Sequence, residues 1–320
     1  MTLRQAQGGR ITVLNALLKP LLEPHLPSWV DVRWYATKAE VVELAPLAEI
    51  GWFDMHSKAD MAEVFQRAIK LEWLNSVYAG VESFPLDLLE TRGVMLTNGA
   101  GINAVPIAEY IVMLMLAQCK GYRDVVRAQD RHEWLKDSPG KRELSGATAL
   151  ILGYGAIGQE VEKRLAGFEM EVSKVRRSAG PGTLGPDEWR GRLGEFDWII
   201  ISVPATPETE GMIGTAELAA MKAGAVLVNV ARGSVIDQAA LTAALTEGRI
   251  GGALLDVTVP EPLPADHPLW DLENTQITMH LSGRAQDRMF QRSAARFLEN
   301  LARFHRGERL EPLVDFALGY

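Results

Sequence analysis

From Arg10 to Asn98 short apolar runs alternate with helical ones, in the order "RITVL", "VDVRWYA", "EIGWFDM", "DMAEVFQRAIK", "LEWLNSV" and "GVMLTN". Strands alternating with helices predict βαβ units and a parallel sheet. The next stretch, "AVPIAEYIVMLMLAQCKGYRDVV", is apolar around most of its circumference, which predicts one long helix leaving the first domain and buried on several sides. Its excess apolar surface predicts a subunit contact over residues 101–125. From Ala147 a second alternation begins, with strands expected at "ATALILG", "MEVSKV", "DWIIISV", "GAVLVNV", "GALLDV" and "TQITMH", and with helices at Gly158 to Gly167 and Gln238 to Glu247. Six such runs predict a doubly wound sheet. The tail from Arg288, "RMFQRSAARFLENLARFHRG", is amphipathic with basic residues late, as a closing helix packed back on the N-terminal domain is expected to be.

Length and composition narrow the picture. A chain of 320 residues with 47% hydrophobic content exceeds the usual single-domain size, so two domains are expected. The pattern places one at 1–100 with 288–320 and the other at 101–287, both α/β and Rossmann-like, with doubly wound parallel sheets. A formal charge of -8 argues against a nucleic-acid partner, because phosphate binding calls for clustered basic residues. The single cysteine, Cys119, allows no intramolecular disulfide, fits a cytoplasmic setting and is expected to be a buried packing residue. The opening "MTLRQAQGGR" lacks an apolar leader core, and no apolar run approaches the roughly 18 residues of a membrane span, so no membrane partner is expected. No metal is expected either.

Chemistry enters at "LILGYGAIGQEVEKRLAGF", where Gly153, Gly155 and Gly158 form G-x-G-x-x-G after an apolar strand and before a helix. Small residues there let the backbone turn tightly and approach a pyrophosphate, and the helix start supplies amide donors. The loop Gly153, Tyr154, Gly155, Ala156, Ile157 and Gly158 is thus expected to hold a dinucleotide. About 20 residues beyond such glycines an acid ordinarily meets the ribose 2′-hydroxyl. Here Arg176, Arg177 and Ser178 of "KVRRS" stand at that place. Guanidinium groups bind a 2′-phosphate bidentately where a carboxylate would repel it, so NADP(H) is the expected cofactor and NAD(H) the lesser one. Glu169 and Glu171 precede or open that strand and should lie away from the ribose.

Three further strand ends deliver one charged or titratable residue each: Arg232 after "VLVNVA", Glu261 after "ALLDVTVP" and His280 after "ITM". In a parallel sheet with right-handed crossovers the carboxyl ends share one edge, where ligands bind. Reduction of a 2-oxo acid needs a cation for the carboxylate and a proton donor at the oxygen. Arginine suits the first task and histidine the second. A carboxylate beside the histidine, Glu261, would favour the imidazolium and fix the ring.

With these motifs in place, the chain resembles the D-isomer-specific 2-hydroxyacid dehydrogenases from about Leu71 to the tail. The matching stretches are "GYGAIG", "VPATPETEGMI", "MKAGAVLVNVARGSVID", "GALLDVTVPEPLPADHPLW" and "ITMHLSG". The resemblance implies a cofactor domain inserted in a substrate domain, a homodimer, and Arg232, Glu261 and His280 as the catalytic residues. In "SVYAGVES" it implies that the amides of Ala79 and Gly80 bind the substrate carboxylate, together with Arg232 and His280, and "LTNGAGINAVPIAEY" matches the interdomain crossover. It adds Val203, Pro204, Thr209, Val230, Ala231, Ser282 and Gly283 to the cofactor contacts, with Asp256 near the nicotinamide amide. Three departures touch substrate preference: Glu82 for an aspartate, Met279 for a proline before the histidine, and Thr258 for an aromatic. Trp52, Trp134 and Arg284 are candidates for the pocket walls.

The expected activity is NADPH-preferring reduction of small 2-oxo acids, glyoxylate or hydroxypyruvate, to D-2-hydroxy acids. The alternatives are a dehydrogenase of a bulkier D-2-hydroxy acid or of phosphoglycerate, the latter weakened by the absence of a C-terminal regulatory domain. A dinucleotide-sensing protein without turnover is a further alternative, against which the complete Arg, Glu and His set speaks.

Overall fold

The computed structural model describes residues 9–54, 58–81, 83–284 and 286–319. The chain divides into two compact units, residues 1–102 with 285–320, and residues 103–284, so the second interrupts the sequence of the first.

In the first unit β1 (Arg10–Asn15), β2 (Val30–Tyr35), β3 (Ile50–Trp52), β4 (Trp73–Asn75) and β5 (Met95–Thr97) form a parallel sheet in the order β2-β1-β3-β4-β5. Successive side chains of a strand point to opposite faces. Val13 therefore joins Val41, Phe65 and Leu96 in one core layer, while its neighbour Leu14 joins Trp52, Trp73, Phe297 and Leu301 in the other. The second layer is closed by the helix Gln286–Arg306, whose Phe297 ring lies 5.0 Å from Trp73 and 5.2 Å from Trp52. The amphipathic tail thus packs on the first sheet, and its last turn carries Arg303, His305 and Arg306, where cations complement the helix dipole.

In the second unit β6 (Thr148–Leu152), β7 (Glu171–Val175), β8 (Trp198–Ile201), β9 (Val226–Asn229), β10 (Gly252–Leu255) and β11 (Thr275–Ile277) form a six-stranded parallel sheet in the order β11-β10-β9-β8-β6-β7. Both faces are covered: Leu150, Leu152, Ile199 and Ile201 enter one layer, and Ala149, Ile151, Trp198 and Ile200 the other. That is why these strands read as unbroken apolar runs instead of alternating ones. The chain leaves β6 to one side for β7 and returns on the other side for β8, which makes the carboxyl end of β6 the switch point of a doubly wound sheet.

The apolar stretch expected as one helix is two, Ala104–Lys120 and Tyr122–Asp130, bent by 72°. Gly121 makes the break. Its φ of 58° is left-handed, and a Cβ there would lie 2.8 Å from the amide nitrogen of Gly140, just as one on Gly140 would lie 2.2 Å from that of Gly121. The segment between them runs first along the unit, where Arg123 donates to the Thr275 carbonyl at 2.7 Å and Ala128 is buried, then through the exposed residues 131–139, and comes back to where it started. Among the described residues no single helix is long and apolar enough to cross a membrane.

One carboxyl of the first unit is enclosed. Asp54 accepts from Trp52 Nε1 at 2.8 Å, Ser76 Oγ at 2.8 Å and the Val77 amide at 2.5 Å, and so ties the end of β3 to the loop after β4. Burial outweighs these bonds and pushes its pKa from 3.8 up to about 6. As pH rises from about 4, the unfolded chain releases this proton before the folded chain does, so Asp54 lowers stability progressively up to about pH 6 and by a constant amount above it. An asparagine fits the same partners, because its oxygen accepts from Trp52 and Val77 while Ser76 Oγ turns to accept. Asp54→Asn is therefore expected to gain on the parent by on the order of 3 kcal/mol between pH 4 and pH 7, at about 1.4 kcal/mol per pKa unit. Denaturant unfolding of both proteins at the two pH values measures it, and parallel pH dependences would place the titrating group elsewhere.

Candidate active site

Six residues form one row across the second sheet: Val175 pairs Leu152, Leu152 pairs Ile201, Ile201 pairs Asn229, Asn229 pairs Leu255 and Leu255 pairs Ile277. Nearly every residue of chemical interest in this unit follows that row within a few positions. After Leu152 comes Gly153, whose φ of +97° and close approach to Ser202 and Val203, 2.7 Å from a Cβ, admit no side chain. A Cβ on Gly158 would meet the Gly153 carbonyl at 2.7 Å, whereas one on Gly155 would project into open space. The helix Ala156–Leu165 begins there with no side chain capping it. Open space beside uncapped helix amides suits a pyrophosphate, so a dinucleotide fits this loop.

After Val175 come Arg176, Arg177 and Ser178, all exposed. Lys174 is occupied: its Nζ donates to Glu162 at 2.6 Å, and Glu162 also accepts from Tyr154 Oη. Arg177 lies near Glu208, whose carboxyl is held below its ordinary value first by a hydrogen bond from Thr206 and in smaller part by this cation. The Arg176 guanidinium has no hydrogen bond or ion pair among the described residues. Glu171 opens β7 at the opposite edge of the sheet, paired with Thr148, and Glu169 bonds Ser145.

The ends of β9, β10 and β11 are braced by polar side chains, buried at Asn229 and Asp256 and partly exposed at Gln238. Asn229 accepts from the Ala231 amide at 3.0 Å and donates to the Arg232 carbonyl at 2.9 Å, which fixes the turn that presents Arg232. Arg232 donates to the Ala231 carbonyl at 2.8 Å. Val230 and Ala231 are buried. Gln238 holds the loop after β10, accepting from the Val259 amide at 2.8 Å and donating to its carbonyl at 2.5 Å. Within that loop Glu261 takes the Thr258 amide at 3.2 Å on one oxygen and His280 Nδ1 at 2.8 Å on the other. An ionised carboxylate only accepts, so Nδ1 carries the proton. His280 Nε2 has no partner among the described residues, and the ring is half-exposed.

His280 follows a turn that few residues tolerate. Met279 and His280 have φ of 54° and 56°, and two consecutive left-handed side chains cost on the order of 1–2 kcal/mol each. A proline at 279 has no access to this φ. The turn wraps around Asp256, which is 2% exposed. Its Oδ1 accepts from Thr278 Oγ1 at 2.7 Å, the Leu281 amide at 3.0 Å and the Ser282 amide at 3.2 Å, and its Oδ2 accepts from Ser282 Oγ at 2.5 Å. Its main-chain carbonyl accepts from the His280 amide at 2.6 Å.

The other expected site residues are more scattered. Val203 is partly exposed and Pro204 exposed in the loop after β8, and the Thr209 hydroxyl is spent on the Pro204 carbonyl at 2.7 Å. Gly283 is partly exposed beside Asn103, and Arg284 is exposed. Ala79 and Gly80 lie in the first unit, in the loop after β4, where Asn98 donates to the Ala79 carbonyl at 2.8 Å. Glu82 lies outside the described residues. Trp52 is a core residue, 2% exposed, whereas Trp134 is 96% exposed on the excursion between Gly121 and Gly140. Cys119 is buried, and burial raises its thiol above the ordinary range. Among the described residues no three His, Cys, Asp or Glu side chains group as metal ligands. Asn229, Gln238, Asn98 and Asp54 escaped the sequence reading. For Asn229, Asn98 and Asp54 the one signal was a polar residue at the end of an apolar strand or just beyond it, whereas Gln238 opens the helix Gln238–Thr246 and carried none.

Residues 112–282 match the family model described as "D-isomer specific 2-hydroxyacid dehydrogenase, NAD binding domain". A glyoxylate reductase of Korarchaeum cryptofilum is 35% identical over 263 residues, 79% of this chain and 79% of that protein. A D-3-phosphoglycerate dehydrogenase of Archaeoglobus fulgidus is 32% identical over 266 residues, 81% of this chain but 50% of that protein. The chain therefore spans about half the length of the phosphoglycerate dehydrogenases it matches. A crystal structure of a D-isomer specific 2-hydroxyacid dehydrogenase from Xanthobacter autotrophicus Py2, in complex with NADPH and MES, superposes with a TM-score of 0.80 at 28% identity, covering 98% of this chain and 100% of that one. Sequence, sheet order and the glycine loop agree, and the chain belongs to the D-isomer specific 2-hydroxyacid dehydrogenase family.

Proposed function

We propose that this protein is an NADPH-preferring reductase of small 2-oxo acids, glyoxylate or hydroxypyruvate first among them, giving D-2-hydroxy acids. The observation that carries the proposal is the His280–Glu261 pair, with Nε2 unengaged, at the same sheet edge that presents Arg232. The dinucleotide, when bound, supplies the hydride for the ketone carbon. Glu261 holds the Nδ1–H end of the imidazole, so His280 presents Nε2 and delivers a proton from it to the substrate's oxo oxygen. Arg232 grips the carboxylate through its planar fork. We assign the amides of Ala79 and Gly80 to that carboxylate on the resemblance alone.

Arg176 supports the cofactor preference: it is exposed and has no ion pair among the described residues, while Glu162 is paired with Lys174. The NADPH complex of the Xanthobacter relative agrees with this reading. A second reading, a phosphoglycerate dehydrogenase, is favoured by the similarity to the Archaeoglobus protein, and turnover of glyoxylate, hydroxypyruvate, pyruvate and 3-phosphohydroxypyruvate side by side decides between them. We also propose a homodimer through residues 101–125, because Met113, Tyr122 and Val125 on the helices Ala104–Lys120 and Tyr122–Asp130 are apolar and between 38% and 58% exposed.

For the cofactor, kcat/KM is expected to favour NADPH over NADH at least tenfold, about 1.4 kcal/mol, and Arg176→Asp to shrink or invert the ratio; equal use of both by the parent enzyme would refute the assignment. For the chemistry, His280→Ala should lower kcat by roughly two to four orders of magnitude with NADPH affinity little changed, whereas Arg232→Lys should raise KM as well as lower kcat, since the fork is lost in both ground and transition states. Steady-state kinetics with a cofactor titration separates these. For assembly, sedimentation should give a dimer for the parent and a monomer for Tyr122→Asp, and a monomeric parent would remove the interface.

A further inference from the structure

The end of β7 carries two cations on one face. Val175 bridges Leu184, with the Leu184 amide donating to the Lys174 carbonyl at 2.7 Å and the Arg176 amide to the Leu184 carbonyl at 3.0 Å, so the chain stays extended through Arg176. Residues two apart on an extended chain share a face, with about 6.6 Å between them. Lys174 and Arg176 are therefore neighbours. The glycine loop joins them there, because the amides of Gly153 and Tyr154 both donate to the Val175 carbonyl, at 3.2 and 3.0 Å.

An acid reaches this face from the helix Ala156–Leu165. Glu162 accepts from Lys174 Nζ at 2.6 Å on one oxygen and from Tyr154 Oη on the other, and the Lys174 ammonium lies 5.1 Å from the centre of the Tyr154 ring. Burial alone would raise this carboxyl, but the bonds from Lys174 and Tyr154 outweigh it and hold Glu162 below its ordinary range, so it is ionised at neutral pH. Each oxygen thus has its own donor, and neither donor is Arg176, whose guanidinium has no hydrogen bond or ion pair among the described residues. Without Lys174, Glu162 would keep only a neutral hydroxyl donor, and the next cation along the same face is Arg176. A guanidinium takes a carboxylate bidentately, and an arginine paired in that way is lost to a phosphate.

We infer that Lys174 is a specificity-determining residue: it binds Glu162 and thereby keeps this acid off Arg176, leaving the guanidinium for the 2′-phosphate of NADPH. The inference rests on the NADPH reading above. Selectivity here is a matter of counting charges: two cations and one acid leave one cation over, and only the cofactor with the extra phosphate uses it. The two partners of the ion pair then act in opposite directions, whereas a pair that merely stiffened the fold would give a loss from either side.

The test titrates NADPH and NADH by fluorescence, without substrate, on the parent, Lys174→Met, Glu162→Gln and the double variant. Expected for Lys174→Met is a loss of NADPH affinity of about fivefold, the size of one partly exposed ion pair, with NADH affinity within about twofold of the parent. Glu162→Gln should bind NADPH at least as tightly as the parent, since both cations are then unopposed. The double variant, with neither acid nor lysine, should return to the affinity of the parent. Unchanged NADPH affinity in Lys174→Met overturns the inference, and a loss that persists in the double variant does so by making Lys174 a direct phosphate contact. Equal loss of both cofactors in Lys174→Met, or weaker NADPH binding in Glu162→Gln, overturns it by giving the pair a structural role. Should Lys174→Met fail to fold, the Glu162→Gln titration decides alone. A parent that binds NADH as tightly as NADPH fails the cofactor reading itself, a result visible before any variant is made.

Discussion

The register of the second sheet is the constraint on which the site depends. Val175, Leu152, Ile201, Asn229, Leu255 and Ile277 stand in one row, and Gly153, Arg176, Arg232, Asp256, Glu261 and His280 are placed by their distance along the chain from it. A slip of one residue between two strands would shift one group by about 3.3 Å and send its strand's side chains to the opposite faces. Trp198–Ile201, Val226–Asn229 and Gly252–Leu255 are buried at every position, so such a slip exchanges two filled layers at once. Apolar packing far from any charged group thus determines where the charged groups are.

The row sets positions to within a few residues, and polar braces do the rest. Asn229 shapes the turn before Arg232, Gln238 grips the loop that carries Glu261, and Asp256 encloses the turn that carries His280. Each brace is a side chain bonded to main chain. A loop held in this way keeps its conformation because opening it breaks several side-chain to main-chain bonds together, at most cost where the freed group is buried, as at the Ala231 amide. Asp54 does the same for the loop after β4, with the added cost of an enclosed carboxyl.

The fold was legible because burial on both faces writes each central strand as a continuous apolar run, and six such runs separated by helix-length gaps leave little choice of architecture. The glycine loop was legible for a related reason: Gly153 stands where no side chain fits. The break at Gly121 was hidden, since the residues on either side continue the apolar pattern and a glycine alone does not announce a 72° bend. The braces were hidden too. A polar residue near a strand end, such as Asn229 or Asp256, does not say which backbone atoms it will bond, because those partners are fixed by the turn it helps to create. Trp134 illustrates the limit from the other side: nothing local distinguishes an exposed tryptophan from a core one such as Trp52.

The contact between Gly121 and Gly140 has a consequence for how this chain tolerates change. Because the two backbones touch, the stretch between them begins and ends at one place, and it is tied to the second sheet as well, where Arg123 donates to the Thr275 carbonyl at 2.7 Å. Beyond its base, Arg142 fastens the returning chain to the sheet side through the Gly224 carbonyl. Insertions, deletions or a different surface are therefore carried most easily from Arg131 to Pro139, where every residue is exposed, and least easily on the helix before it, which holds the buried Ala128 and the tie to β11.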